Sequence, residues 1–282
     1  MSLAQWLREA AVQLEGVSDT PRLDAELLAA HALGMERQDM LLRLRDLDVP
    51  EGAGALIARR LRHEPIAHIT GRRDFWTLTL AVTPDVLIPR PDSETLIEAA
   101  VAHFAGTDGP ARVLDLGTGS GALLLAALDQ WPHATGLGID ISPRALSVAH
   151  LNAEKLGMGG RVRFRQGDWA QGVDELFDLI LCNPPYIPSN ETLSKDVSDY
   201  EPYGALFAGS DGLDCYRQLA PTTARLIAPG GTALFEIGHD QGETVPALFK
   251  EAGFAPIILS DLGGRARCVK LVGRADMELH GG

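Results

Sequence analysis

Along residues 1–72 the apolar positions recur three and four apart, the period of a helix with one buried face. Leu3, Trp6, Leu7, Ala10, Ala11 and Leu14 make the first stripe, and Ser2 stands at its N-cap. Thr20-Pro21 opens a second helix, because proline is tolerated at the first helical position. Leu23, Leu27 and Leu28 form its predicted apolar face, and Gly34 is its stop. A third helix is predicted from Gly54 to His63, ended by Pro65 and Gly71. Three or more helices in this span make a small bundle.

The period then changes. Residues 75–82, Phe-Trp-Thr-Leu-Thr-Leu-Ala-Val, are rich in β-formers and predict a strand or hairpin within a linker at 73–90. Pro89 and Pro91 exclude both helix and regular strand interior around Arg90, and a helix follows over 93–104. From Ala111 strands and helices alternate. Strands are predicted at 112–116, 135–140, 162–166, 179–182, 232–237, 256–259 and 268–272, and helices at 121–130, 143–156, 214–227 and 242–252. Nearly continuous apolar runs such as Leu179-Ile180-Leu181 suit a parallel sheet covered on both faces. Residues 91–282 therefore predict a doubly wound α/β domain of seven strands behind the helical bundle.

Composition narrows the class. The 282 residues are 45% hydrophobic and 22% charged, which suits a globular chain and excludes a disordered or collagenous one. No apolar stretch reaches the ~18 residues that a membrane-spanning helix needs. The N-terminus lacks the basic start and apolar run of a secretory signal, so the expected address is the cytoplasm. Cys182, Cys215 and Cys268 form no CxxC pair, so neither a disulfide framework nor a metal site is expected. The net charge of -13 disfavours direct DNA binding through phosphates.

Candidate chemistry sits at the predicted strand ends. An apolar strand runs into Gly117-Thr118-Gly119-Ser120-Gly121 and then into a helix. Glycines there admit a tight turn and a close ligand, and the free N–H groups of the helix start supply polar contacts. The GxGxG spacing differs from the GxGxxG of dinucleotide sites, which counts against an NAD-dependent oxidoreductase. Asp115, two residues before the first glycine, could meet a cationic ligand. Asp140 ends the next strand, where a carboxylate accepts both ribose hydroxyls or else caps the following helix. Asp168 could accept from an adenine amine and Trp169 could stack on the ring, or both could simply build a turn.

The most specific feature is Asn183-Pro184-Pro185-Tyr186, directly after the strand at 179–182. Two prolines stiffen the turn. The Asn183 amide oxygen and the Pro184 carbonyl are neutral acceptors for both hydrogens of one –NH2 group, and Tyr186 offers a flat face to a planar amide or base.

This constellation resembles methyltransferases that use S-adenosyl-L-methionine on planar nitrogens. Further segments narrow the resemblance: residues 88–94 (Ile-Pro-Arg-Pro-Asp-Ser-Glu), Tyr200-Glu201-Pro202, Asp211-Gly212-Leu213-Asp214, Tyr216-Arg217, Phe235-Glu236-Ile237-Gly238, Gln241, Asp261-Leu262 and Gly264-Arg265. Over nearly its whole length the chain is similar to the HemK/PrmC family, which methylates the glutamine of the Gly-Gly-Gln motif in peptide chain release factors. It departs at Asp92-Ser93-Glu94, where members often read Glu-Thr-Glu. The resemblance implies a Rossmann-like methyltransferase sheet and S-adenosyl-L-methionine as cofactor. It implies cofactor contacts from residues 117–121, Asp140, Trp169 and Asn183, to which the reading of the residues adds Asp168. It also implies that Asn183, Pro184, Pro185 and Tyr186 hold the substrate glutamine, with Asn183, Pro184 and Tyr186 serving catalysis. Class 1 release factors are the expected partners, gripped by residues 1–72 unless that bundle only stabilises the fold. Arg90 either lies near the site or braces the linker. Glutamine methylation of a ribosomal protein and adenine methylation of nucleic acid are the rival readings.

Overall fold

The computed structural model describes residues 1–273 and divides the chain into two compact units. The first comprises residues 1–72 and 193–200, and the second takes the rest. None of the described helices is long and apolar enough to cross a membrane.

In the first unit, α1 (Leu3–Leu14) buries Leu3, Leu7, Ala10 and Leu14, and Ser2 Oγ accepts the Gln5 N–H at 3.3 Å. α2 (Pro21–Leu33) starts on its proline and stops at Gly34, whose φ of 65° is left-handed. Its face differs from the expected one. Leu23 is exposed, while Asp24 is buried beside Ala25 and Leu28. The cause is Arg60, on α4 (Ala53–Arg60), whose Nε donates to Asp24 Oδ2 at 2.8 Å. Arg60 Nη2 also donates to the Val17 carbonyl at 3.0 Å. A hydrogen-bonded ion pair thus occupies a core position, where losing one partner costs about 3–5 kcal/mol. Two short helices went unpredicted, α3 (Arg37–Leu42) and α5 (Ile66–Thr70). The Tyr200 hydroxyl, from the outlying segment of this unit, donates to the Arg62 carbonyl at 2.8 Å.

The second unit opens on a two-stranded sheet, β1 (Arg72–Phe75) and β2 (Leu78–Ala81), turning at Trp76 with φ 55°. Then follow α6 (Glu94–His103), β3 (Arg112–Leu116), α7 (Ala122–Gln130), β4 (Thr135–Asp140), α8 (Pro143–Lys155), β5 (Val162–Gln166) and β6 (Phe177–Cys182). After α9 (Lys195–Ser198), which lies in the outlying segment of the first unit, come α10 (Asp214–Thr223), β7 (Ile227–Glu236), α11 (Thr244–Glu251), β8 (Ile257–Ser260) and β9 (Ala266–Val272).

Seven strands form one sheet in the order β5-β4-β3-β6-β7-β9-β8, and β9 pairs antiparallel with both neighbours. Alternate residues face opposite cores. Val113, Leu179 and Leu181 join one apolar cluster with Leu96, Leu124 and Leu128, while Leu114, Ile180 and Cys182 join another with Tyr216, Leu219 and Phe249. Each fully buried Leu or Phe contributes about 1.5–3 kcal/mol, so both faces are sealed by burial. α10 ends at Thr223, short of the expected 227, because β7 begins at Ile227 opposite Phe177. Pairing resumes at Thr232 opposite Leu179, and Pro229 and Gly230 bulge outward between them, since proline cannot donate to a ladder.

Candidate functional site

At the carboxyl ends of β3, β4, β5 and β6 lies a cavity of about 340 Å³. The chain switches direction across the sheet between β3 and β6, and this is where open α/β sheets receive ligands. The floor is the glycine turn. Gly117, Gly119 and Gly121 have φ of 73°, 54° and 84°, which L side chains resist. The Gly117 and Thr118 N–H groups both donate to the Ile139 carbonyl, at 2.9 and 3.0 Å. Asn152 of α8 steadies the turn from below, donating to the Ser120 carbonyl at 2.9 Å while pairing with the Ala81 backbone.

Four carboxylates line this cavity: Asp85, Asp115, Asp140 and Asp168. Asp115 is fully buried, and its Oδ2 accepts the Thr118 hydroxyl at 2.6 Å. Burial pushes its pKa up to about 7. Asp140 Oδ2 accepts the Gly119 N–H at 2.8 Å and Oδ1 accepts the Ser142 N–H at 2.9 Å. Burial also raises Asp140, against these backbone donors. Asp140 faces the cavity and, through Ser142, secures the start of α8. Asp168 is exposed, and Trp169 beside it adopts φ 49°. The Trp169 ring covers Gly117, where an added Cβ would come within 3.4 Å of it.

The turn after β6 divides. Asn183 and Pro185 line the cavity, whereas Pro184 is buried and Tyr186 turns its hydroxyl to Glu236 Oε1 at 3.3 Å. Burial raises the Tyr186 pKa, keeping the phenol neutral. Asn183 Nδ2 donates to Ser93 Oγ at 3.0 Å, and the Ser93 hydroxyl donates to Glu236 Oε2. Gln241 Nε2 donates to the carbonyls of Tyr186 at 3.1 Å and Gly212 at 3.3 Å, fixing the far end of the turn. Arg90 faces the cavity and also pairs with buried Glu201, whose Oε2 accepts the Ile88 N–H at 3.0 Å. Its two expected roles coincide.

Sequence reasoning gave no roles to Ser93, Glu236 or Gln241. All three stand in segments that carried the family resemblance, which was the available signal.

The PrmC N-terminal domain model matches residues 5–71, and a methyltransferase domain model matches 108–235. A release factor glutamine methyltransferase of Rhodospirillum rubrum is 48% identical over 89% of this chain and 78% of its own length. One from Cereibacter sphaeroides is 43% identical over 95% of this chain and 98% of its own. The chain belongs to the release factor glutamine methyltransferase family. Solved structures agree on the fold of such a methyltransferase. The 16S rRNA N2 G1207 methyltransferase of T. thermophilus matches at 19% identity and TM-score 0.54, covering 72% of this chain and 50% of that one. A methyltransferase from Pyrococcus furiosus matches at 18% and 0.52, covering 77% and 97%.

Proposed function

We propose that this chain transfers a methyl group from S-adenosyl-L-methionine to the side-chain amide nitrogen of the glutamine in the Gly-Gly-Gln motif of class 1 release factors. The observation that carries this reading is Asn183, a neutral amide placed on the wall of the same cavity as the glycine turn.

The cavity fits the cofactor by its chemistry. Side-chain-free Cα atoms leave room at the turn, Asp140 offers carboxylate oxygens suited to ribose hydroxyls, and the Trp169 ring offers an aromatic surface. Residues 117–121, Asp140, Asp168, Trp169 and Asn183 are assigned to holding it. When bound, it supplies an electrophilic methyl group on a cationic sulfur.

The protein must then activate a poor nucleophile, since an amide nitrogen shares its lone pair with the carbonyl. Acceptors on both N–H bonds leave electron density on nitrogen and favour its pyramidal form. Asn183 Oδ1 and the Pro184 carbonyl are assigned those hydrogens, Pro185 and Tyr186 are assigned to holding the planar amide beside them, and the two prolines keep the turn stiff. As the new bond forms, the N–H groups become more acidic and the same acceptors bind them more tightly, which is the condition for catalysis, and one of the two protons is then released to water to leave the neutral N-methyl amide. Neutral acceptors avoid the cost of desolvating a bare carboxylate at the reaction centre.

The test is incubation of the purified protein and methyl-labelled S-adenosyl-L-methionine with a class 1 release factor, ribosomes or DNA. Label on the release-factor glutamine, located by mass spectrometry, is the expected result. Asn183→Ala should lower the single-turnover rate by about 10²-fold or more, the scale of a lost transition-state contact. Label confined to ribosomes or DNA, or a near-normal Asn183→Ala rate, would overturn the reading.

A further inference from the structure

An asparagine amide has two unlike ends, and catalysis as derived above needs the oxygen end toward the substrate. Nothing about Asn183 itself decides this. The decision lies in the buried chain Asn183–Ser93–Glu236, drawn from the end of β6, the turn before α6 and the end of β7. Ser93 and Glu236 are 3% and 1% exposed, so water does not arbitrate.

Proton inventory fixes the polarity. An ionised carboxylate only accepts, and it receives the hydroxyls of Ser93 and Tyr186. Ser93 has one proton, already given to Glu236, so only lone pairs remain for Asn183. The amide must answer with Nδ2, which leaves Oδ1 for the cavity. A protonated Glu236 reverses the sequence. It can donate to Ser93, Ser93 can donate to Asn183 Oδ1, and the cavity then meets –NH2, a donor facing a donor.

We propose that Glu236, acting through the Ser93 hydroxyl, is a positioning residue that sets which end of the Asn183 amide faces the substrate. This rests on the methyl-transfer reading above. The groups around Glu236 are accounted for. Arg267 of β9 favours its ionised form, and Asp92, in the turn before α6, opposes it. Tyr186 donates to its carboxylate and Tyr216 of α10 donates to its backbone carbonyl at 2.7 Å. Cys182 and Cys268 lie beside it as thiols whose pKa burial raises. Burial lifts Glu236 itself to about 7, which puts the change of polarity near neutrality.

The experiment uses the full-length protein with isotope-labelled asparagine side chains. The Asn183 –NH2 resonances and the turnover number on a class 1 release factor are followed together across neutral pH. Both should change with one midpoint, activity falling on the acid side. Ser93→Ala should lower kcat about tenfold or more, with little change in KM, cofactor affinity or melting temperature, and should uncouple the resonances from pH. Ser93→Thr should restore both, and Glu236→Gln should abolish the acid limb. Asn183 resonances indifferent to pH and to Ser93→Ala would overturn the relay whatever the substrate. A wild-type kcat and acid limb in Ser93→Ala would also overturn it. If the resonances follow Glu236 but no release factor is labelled, the substrate assignment falls, and the positioning role in this reaction falls with it.

Discussion

Asp140 Oδ2 accepts the Gly119 N–H at 2.8 Å, so the last residue of β4 holds in place the turn that follows β3. Because its other oxygen holds the Ser142 N–H, one carboxylate shapes both the floor and the side of the cavity. The carboxylate proposed above to meet the ribose is thus also the one that orders the turn.

Asp140→Ala should weaken S-adenosyl-L-methionine binding by about 10–100-fold, the effect of losing roughly 1.5–3 kcal/mol of hydrogen bonding to a charged group. Isothermal calorimetry on the purified protein measures this directly. Unchanged affinity would refute the placement of the ribose at Asp140.

Gly212→Ala should damage the turn after β6 by pressing on the Tyr186 backbone rather than by removing a functional side chain. Gly212 has φ 73°, and a Cβ there would lie 2.3 Å from the Tyr186 carbonyl oxygen. Left-handed backbone costs a non-glycine residue about 1–2 kcal/mol, and the clash adds to it. Urea denaturation should show a loss of about 2 kcal/mol or more, and methyl transfer should fall in protein that remains folded. Wild-type stability and rate would show that the turn yields freely.

Asp115 and Glu236 make folding sensitive to pH in the direction opposite to ordinary acid denaturation. Their pKa values rise on burial from 3.8 and 4.5 to about 7 each. In that window the folded carboxyls keep protons that the unfolded chain has released, so raising pH shifts the balance toward unfolding. The contribution is complete below the unfolded values and gone above about 7. Asp115→Asn should flatten its share, on the order of a few kcal/mol, in urea midpoints measured between about pH 4.5 and 7. An unchanged slope would place the Asp115 carboxyl in water.

β3, β4 and β5 match the strands expected from the apolar runs and their glycine and aspartate ends, because double burial leaves a strong pattern. α3 and α5 are too short, at six and five residues, for a period to declare itself. The buried face of α2 was unreadable because it turns on Asp24 meeting Arg60, 36 residues away. The same limit hid part of the candidate site. Asn183 was legible from a local motif, but Ser93 reaches it across 90 residues and Glu236 reaches Ser93 across 143, and no spacing rule joins such positions.

The contact between Tyr200 and Arg62 spans 138 residues within the helical unit. During synthesis the first 72 residues emerge well before the segment that finishes their unit, with β2 through β6 made in between. A nascent chain thus carries an unsealed bundle while residues 73–192 are made. A fragment cut after residue 72 would keep that seam open permanently.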